Sequence, residues 1–246
     1  MIDKVKENIV AGNPWYTDSQ LVQLLQPHTK RVINDRWGFI LKEVNKIIQK
    51  SDHNLDLLDI GSGDGLNLEL LTKLKKLNIT ALDYNPLRIE RVSKKYPKVK
   101  VIIDDIFQHD FKEKYDIILM SQVLEHIKKD FQALVQIRSM LKDEGILILG
   151  IPNEGCLMAR LRNRIIQPRI SKTTDHVNFY TKSGILKLIK KSYFKIKSVY
   201  YEGFFFPHTR INQLISSSKA GFYIMKTFGQ IFESQVGGFY FVLSLE

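Results

Sequence analysis

Cysteine is nearly absent: Cys156 is the one thiol in 246 residues. That excludes an internal disulfide and any zinc cluster built on several thiolates. Long apolar runs are missing as well. None approaches the roughly 18 residues that a membrane-spanning helix needs, and the opening residues carry no apolar stretch of the secretory-leader kind. A cytoplasmic location is the expectation that follows. Internal repeats, low-complexity tracts and Pro-, Gly- or Ser-rich linkers are missing too, so one domain over residues 1–246 is expected. With 44% hydrophobic and 26% charged residues, the composition is that of a folded chain and excludes bulk disorder.

Negative charge is in short supply. Lys and Arg number 37 against 26 Asp and Glu, a formal charge of +11. The excess is local: residues 151–200 hold eleven Lys or Arg against two acids, Glu154 and Asp175, a net of +9. Such a face points to an acidic partner: a phosphorylated small molecule, a nucleic acid or an anionic membrane. Solvated helix faces in a lysine-rich chain would give the same count.

What is present falls into two patterns. The first fifty residues read as helical, with apolar positions at Leu21, Val22, Leu24 and Leu25 and again at Trp37, Ile40, Leu41, Val44 and Ile47. From Leu55 short apolar runs at 55–60, 79–82, 99–103, 115–120 and 145–151 alternate with amphipathic stretches at 67–77, 86–95 and 129–141. That alternation predicts βαβ units and a parallel sheet. Residues 142–145 supply the turn from helix into the fifth strand. Beyond Ile151 a basic segment, 156–174, breaks the rhythm. A helix is expected at 181–191, strands at 194–201 and 238–245, and a helical insertion between those strands. The fold class is therefore α/β: a doubly wound, Rossmann-like, seven-stranded sheet. It is mostly parallel with an antiparallel C-terminal strand, and carries N-terminal helices and a helical insertion before the last strand.

The most informative stretch is Leu-Asp-Leu-Leu-Asp-Ile-Gly-Ser-Gly-Asp-Gly at 55–65. A buried strand ends there in a glycine-rich turn and a helix follows, so a ligand can approach the backbone and meet unpaired N–H groups. A dinucleotide fingerprint would need a glycine at position 66. That position is Leu66, and the glycines are Gly61, Gly63 and Gly65. A pyrophosphate is a poor fit; a smaller ligand with a carboxylate, such as an amino-acid moiety, is a better one. Asp83 closes the second strand, where an acid accepts hydrogen bonds from ribose hydroxyls. Asp105 and Ile106 follow the third strand, placed to meet an adenine. Singly, each acid also fits a helix cap or a turn; three at successive strand ends make a site.

These blocks resemble the class I S-adenosylmethionine (SAM) dependent methyltransferases. The similar group includes the ubiquinone-biosynthesis O-methyltransferases and the methyltransferases of surface-polysaccharide gene clusters. The resemblance covers about residues 55–200. It is carried by Leu-Asp-Ile-Gly-Ser-Gly-Asp-Gly at 58–65, Leu-Asp-Tyr at 82–84, Ser-Gln-Val-Leu-Glu-His-Ile at 121–127, Leu-Lys-Asp-Glu-Gly-Ile-Leu-Ile-Leu-Gly-Ile-Pro-Asn at 141–153 and Asp-His-Val-Asn-Phe-Tyr-Thr at 175–181. It implies SAM as cofactor, with Asp59, Gly61 and Gly63 at the methionine part, Asp83 and Tyr84 at the ribose, Asp105 and Ile106 at the adenine, and Ser121 and Gln122 at the sulfonium. It also implies a helical cap at 1–50, a SAM-binding core at 55–152 and a substrate side at 153–246. Trp15 and Tyr16 would then lie over the cofactor, or else pack as ordinary helix aromatics.

A sulfonium methyl is already activated, so the protein must chiefly align the acceptor and exclude water. For a hydroxyl or protonated amine a general base adds about 10²–10⁴-fold. His176 and His126 are the two candidates; a bracing role for His126 and a helix-capping role for His176 beside Asp175 are the structural alternatives. Glu125 and Asp130 form no clear cluster, so no metal is expected. Cys156 lacks the setting of a cytosine-methylating nucleophile. The turn after the fourth strand, Met-Ser-Gln-Val-Leu, is not that of an exocyclic-amine nucleic-acid methylase. A nucleic-acid partner is thus not expected.

The acceptor expected is a small molecule, phosphorylated or nucleotide-linked: a sugar or glycan intermediate of a bacterial surface polysaccharide, methylated on oxygen or nitrogen. The alternatives are a quinone-type lipid, reached through peripheral membrane contact of an amphipathic stretch at 158–166, and a non-catalytic SAM-binding protein. The aromatic insertion at 207–237 is expected to cover the sheet, to lid the pocket or to form a dimer surface; a monomer and a homodimer both fit.

Overall fold

Strands covered by helices on both faces need continuous apolar runs rather than alternation, and the central strands of this chain have them. The computed structural model describes residues 2–169 and 176–246; Asp175 and the 170–174 part of the basic segment lie outside the described residues. The strands are β1 (Leu55–Ile60), β2 (Leu77–Asp83), β3 (Lys100–Ile103), β4 (Tyr115–Ser121), β5 (Leu141–Pro152), β6 (Phe194–Tyr201) and β7 (Gly238–Leu245). They form one seven-stranded sheet in the order β3-β2-β1-β4-β5-β7-β6. The pairs from β3 to β5 are parallel, and β7 is antiparallel to both β5 and β6.

Among the described residues ten α-helices accompany the sheet: α1 (Ile2–Val10), α2 (Pro14–Thr17), α3 (Pro27–Ile48), α4 (Leu68–Leu71), α5 (Pro86–Lys95), α6 (Asp130–Met140), α7 (Leu157–Leu161), α8 (Lys182–Lys191), α9 (Thr209–Ser217) and α10 (Lys219–Ile231). One apolar core packs Ile40 and Val44 of α3, Leu68 and Leu71 of α4 and Val92 of α5 against Leu57, Ala81 and Leu119 of the sheet. On the opposite face Leu134 and Ile137 of α6 and Ile185 and Ile189 of α8 meet Leu58, Ile118 and Leu147. No helix among the described residues is long and apolar enough to cross a membrane.

Two expectations need correction in detail. The helix predicted over 67–77 is only α4, four residues long. The chain turns at Lys76, whose φ is +60°, because Leu77 must already pair with Leu55 in the parallel register. Residues 142–145 are not a turn ahead of a strand starting at Gly145. β5 begins at Leu141, which pairs with Tyr115, and Ile146 then pairs with Ile117. The intervening residues bulge from the ladder.

The N-terminal helices are tied to both halves of the sheet. Asn85 caps α5 through Leu87 N–H at 3.0 Å, and its amide donates to the Tyr16 carbonyl at 2.9 Å. Arg88 reaches the Trp15 carbonyl at 2.6 Å. At the other end, Arg36 of α3 pairs with buried Glu202, and Asp35 accepts from Tyr200 and, at 2.8 Å, from Lys226 of α10. The N-terminal segment is thereby fixed across the carboxyl ends of the strands. The strand order reverses between β1 and β4, which is where an open α/β sheet forms its crevice.

Candidate active site

A loop that must pass close to a ligand cannot afford side chains, and the turn after β1 shows why. Gly61 and Gly63 have φ of +68° and +55°. A Cβ on Gly61 would strike Val123, and one on Gly63 would strike Gln20. The turn is held from below. Gly63 N–H donates to Asp83 Oδ2 at 2.9 Å, while Asn85 N–H donates to Asp83 Oδ1 at 2.8 Å. Burial raises the Asp83 carboxyl above its ordinary range, against those two bonds and the Arg88 charge. Asp64, also buried, accepts from Gln20 N–H at 2.6 Å and from Arg91 at 3.0 Å, which seats residue 20 on the glycine turn.

These loops open onto a cavity of about 330 Å³, at the lower end of the roughly 300–1,000 Å³ of small-molecule sites. Of the residues singled out from sequence, Gly61, Asp83, Tyr84, Asp105, Ile106, Ser121, Gln122, His126 and His176 line it, with Trp15. Asp59 and Gly63 do not. Asp59 lies fully buried beneath the turn; Asn67 donates to its Oδ1 at 3.4 Å, and burial pushes its carboxyl up to about 7. Tyr16 does not line the cavity either; its carbonyl accepts from the Asn85 amide at 2.9 Å.

The wall carries polar atoms that the chain itself does not satisfy. Ser62 Oγ, Gln122 Nε2 and Glu125 Oε2 are buried without a hydrogen-bond partner among the described residues, as is Asp59 Oδ2 below. Buried polar groups of this kind call for a ligand or ordered water. Gln122 also adopts a φ of +59°, a conformation rare for residues with a side chain and often retained at functional sites. Its N–H donates to the Gly150 carbonyl at 2.8 Å, which holds the turn after β4 in place.

A second group of polar side chains comes from distant segments. His126 and His176 meet edge to face, with ring centres 4.7 Å apart, and Trp15 lies 6.4 Å from His126. His176 Nδ1 is 2.6 Å from Glu154 Oε2. Although burial opposes ionisation, His176 and Arg162 hold the Glu154 carboxyl below its ordinary range, so the ring nitrogen donates and the carboxylate accepts. The backbone completes the junction: Val177 and Asn178 N–H both donate to the Glu125 carbonyl, at 2.9 and 3.0 Å. Burial pushes the Glu125 carboxyl up to about 7. His176 is not a helix cap, since Thr181 Oγ1 caps α8 itself by accepting from Gly184 N–H at 3.0 Å.

Glu125, His126 and His176 also have donor atoms within 4.8 Å of one another. Two ligands on opposite sides of one ion at about 2.1 Å each stand about 4.2 Å apart, so modest closure would let the three share a cation. His176 reaches this group from a segment fifty residues beyond His126. Asp130 is not part of the group; it accepts from Tyr180 at 2.9 Å.

Sequence reasoning also missed Ile33, Arg36 and Tyr240 on the wall. Ser121 Oγ and Tyr240 Oη are 2.7 Å apart, and the Arg36 guanidinium lies 5.9 Å over the Tyr240 ring. The spacing of α3 marked its apolar face, but nothing in it marked a cavity.

A family model described as a methyltransferase domain matches residues 32–199, more than half of the chain. The chain belongs to the methyltransferase-domain family. It is a SAM-dependent methyltransferase acting on a small molecule, and SAM is its cofactor. A ubiquinone biosynthesis O-methyltransferase of Rickettsia bellii is 25% identical over 170 residues, which span 63% of this methyltransferase and 70% of that one. In fold it is similar to a putative sarcosine dimethylglycine methyltransferase from Galdieria sulphuraria, with a TM-score of 0.62, 13% identity and coverage of 85% and 84%. It is also similar to the plantazolicin methyltransferase BpumL, solved with S-adenosylhomocysteine and a triazolic desmethylPZN analog, at a TM-score of 0.60, 16% identity and full coverage of both chains.

Proposed function

We propose that this methyltransferase places its methyl group on a hydroxyl of a small molecule, with His176 as the general base. The observation that carries the proposal is the Glu154–His176 pair on the cavity wall, 2.6 Å apart. When bound, SAM supplies a sulfonium methyl already activated for displacement. Gly61 and Ser62 would face its methionine part with Gly63 and Asp59 behind them, Asp83 and Tyr84 its ribose, Asp105 and Ile106 its adenine, and Ser121 and Gln122 its sulfonium. Asp83 keeps lone pairs for ribose hydroxyls, since each carboxylate oxygen accepts twice. Glu154 would fix Nδ1–H of His176, so that Nε2 takes the acceptor's proton as the oxygen–methyl bond forms and the methyl–sulfur bond breaks. Trp15 and the N-terminal segment exclude water from that step.

The lining includes three large aromatic side chains, Trp15, Trp37 and Tyr240, with Ile33 and Ile40. Together with the likeness to the Rickettsia enzyme, this favours a phenolic ring, as in a quinone-type acceptor, over the sugar or glycan of a surface polysaccharide expected first. A second reading rests on the convergence of Glu125, His126 and His176, which would bind a divalent cation that lowers the acceptor's pKa. Methyl transfer from labelled SAM to a panel of catechols, nucleotide sugars and phosphorylated amines, with and without chelator, separates these readings. Methylation of a catechol that survives chelator supports the base mechanism. Activity that chelator abolishes and added Mg²⁺ restores moves the proposal to the metal reading. Turnover of nucleotide sugars alone overturns the phenolic assignment, and SAM binding without any turnover overturns the enzymatic one.

A further inference from the structure

Large apolar side chains on a surface are ordinary when they are scattered. In this protein they gather on two neighbouring segments. The first is α7 with the π-helical turn Arg162–Ile166 that continues it, where Leu157 and Ile165 are exposed, Ile165 by 73%. The second is the pair α9 and α10, where Leu214 is 75% and Ile231 66% exposed, with Tyr223 and Ile224 beside them in the sequence of α10. The segments adjoin: Gln167 Oε1 accepts from the N–H and hydroxyl of Thr209 at 2.9 and 2.8 Å. Arg162 lies 4.8 Å over the Phe205 ring.

The charge on these segments has one sign. Residues 157–169 and 203–232 contain no Asp or Glu and seven Lys or Arg. Two of the seven face inward, Arg162 toward Glu154 and Lys226 to Asp35. Arg160, Arg164, Arg169, Arg210 and Lys219 are exposed and make no ion pair among the described residues. None of the α9–α10 insertion lines the cavity, so these helices are not its lid. Their inner side is already used, by Met225 and Phe222 in the interior and by Lys226 on the Tyr201 carbonyl at 3.0 Å.

We propose that α7, its π-helical turn and the α9–α10 pair form a face that docks on an anionic lipid bilayer. Isoleucines and leucines would enter the boundary between headgroups and acyl chains, and the arginines would meet lipid phosphates, as amphipathic surface helices do. Two other occupants fit less well. A second copy of the chain would set the basic face against an equally basic one in a two-fold contact. A nucleic acid would match the arginines and leave the isoleucines in water. The geometry gives the docking a use, because Arg162, on the inner side of the π-helical turn, pairs with Glu154, the residue that holds His176 at the cavity wall. The proposal stands whichever acceptor is methylated.

The test is flotation of the full chain with vesicles of phosphatidylcholine alone and of phosphatidylcholine mixed equally with phosphatidylglycerol. Binding to the mixed vesicles only, weakened by salt, is expected. Arg160→Gln and Arg164→Gln should each weaken partitioning by about fivefold, the factor that corresponds to about 1 kcal/mol per basic residue near an anionic surface. Leu214→Glu and Ile231→Glu should abolish it while leaving the thermal midpoint and SAM affinity unchanged, which separates lost docking from misfolding. Failure to float with the mixed vesicles overturns the proposal. So does a concentration-dependent dimer in light scattering that Leu214→Glu converts to monomer, which would make the face an interface between copies. Equal binding to both vesicle types would overturn its electrostatic half.

Discussion

Between residues 60 and 123 the cavity is lined by loops that each follow a parallel strand, and every one of those strands is fixed by pairing with its neighbour. The rest of the lining is assembled differently. Ile33, Arg36, Trp37 and Ile40 come from α3, His176 from the far side of the basic segment, and Tyr240 from the last strand. The first region is a property of local chain geometry: a strand end, a turn, an acid. The second exists only when remote parts of the chain meet. A fold divided in this way can exchange the second region without disturbing the first, which is how one cofactor site serves many acceptors.

If the division holds, variants should separate binding from turnover. The largest effect is expected from His176→Ala: kcat lower by about 10²–10⁴-fold, with SAM affinity by calorimetry unchanged. Glu154→Gln should cost less and act through His176, so its kcat-against-pH profile moves while KM stays. A fall in SAM affinity in either variant would break the division. Asp83→Ala should do the reverse. Its carboxylate holds two backbone N–H groups of the turn and is proposed to hold the ribose, and charge-assisted hydrogen bonds contribute about 1.5–3 kcal/mol each. SAM binding about a hundredfold weaker is expected, read by the same titration, with circular dichroism to verify the fold.

Gly61→Ala sharpens the comparison on the structural side. A methyl there needs a backbone at φ +68° and the space of Val123, a combination expected to cost about 1–3 kcal/mol. Thermal unfolding should show that loss with SAM absent. Restoration by Val123→Ala would assign it to the contact, and no restoration would assign it to the backbone.

The same division explains what could be read from the sequence. The glycine turn, Asp83, Asp105 and the Ser121-Gln122 turn were legible because each sits within a few residues of the strand that places it. Asp59 was expected at the methionine part of SAM, yet its depth was not legible: it lies fully buried at the end of β1, outside the cavity lining. Glu154 escaped notice because no spacing links it to His176, twenty-two residues on. Arg36 was hidden inside a helix whose periodicity reported only its apolar side. The short α4 and the bulge at 142–145 are cases in which sheet register overrode local propensity, and register is a tertiary property.

The last expected effect concerns Glu125, which belongs to both regions: its residue follows β4, and its carboxyl sits against His126 and His176. Burial raises that carboxyl from 4.5 to about 7, and Oε2 has no hydrogen-bond partner among the described residues. The native state therefore keeps this proton where the unfolded chain has released it. With more protons bound in the native state, stability falls as pH rises from about 4.5 to about 7 and is level beyond. The slope from one such group is at most about 1.4 kcal/mol per pH unit. Glu125→Gln, which cannot ionise, should flatten that part of the midpoint-against-pH curve and unfold at a higher temperature than the parent above pH 7. Equal slopes in parent and variant would show that Glu125 is already ionised in the native state, as it would be if the two histidines or a bound cation compensated its charge. In that case the acceptor side of the cavity is electrostatically self-contained, and Glu125 belongs with His126 and His176 rather than with the strand-end loops.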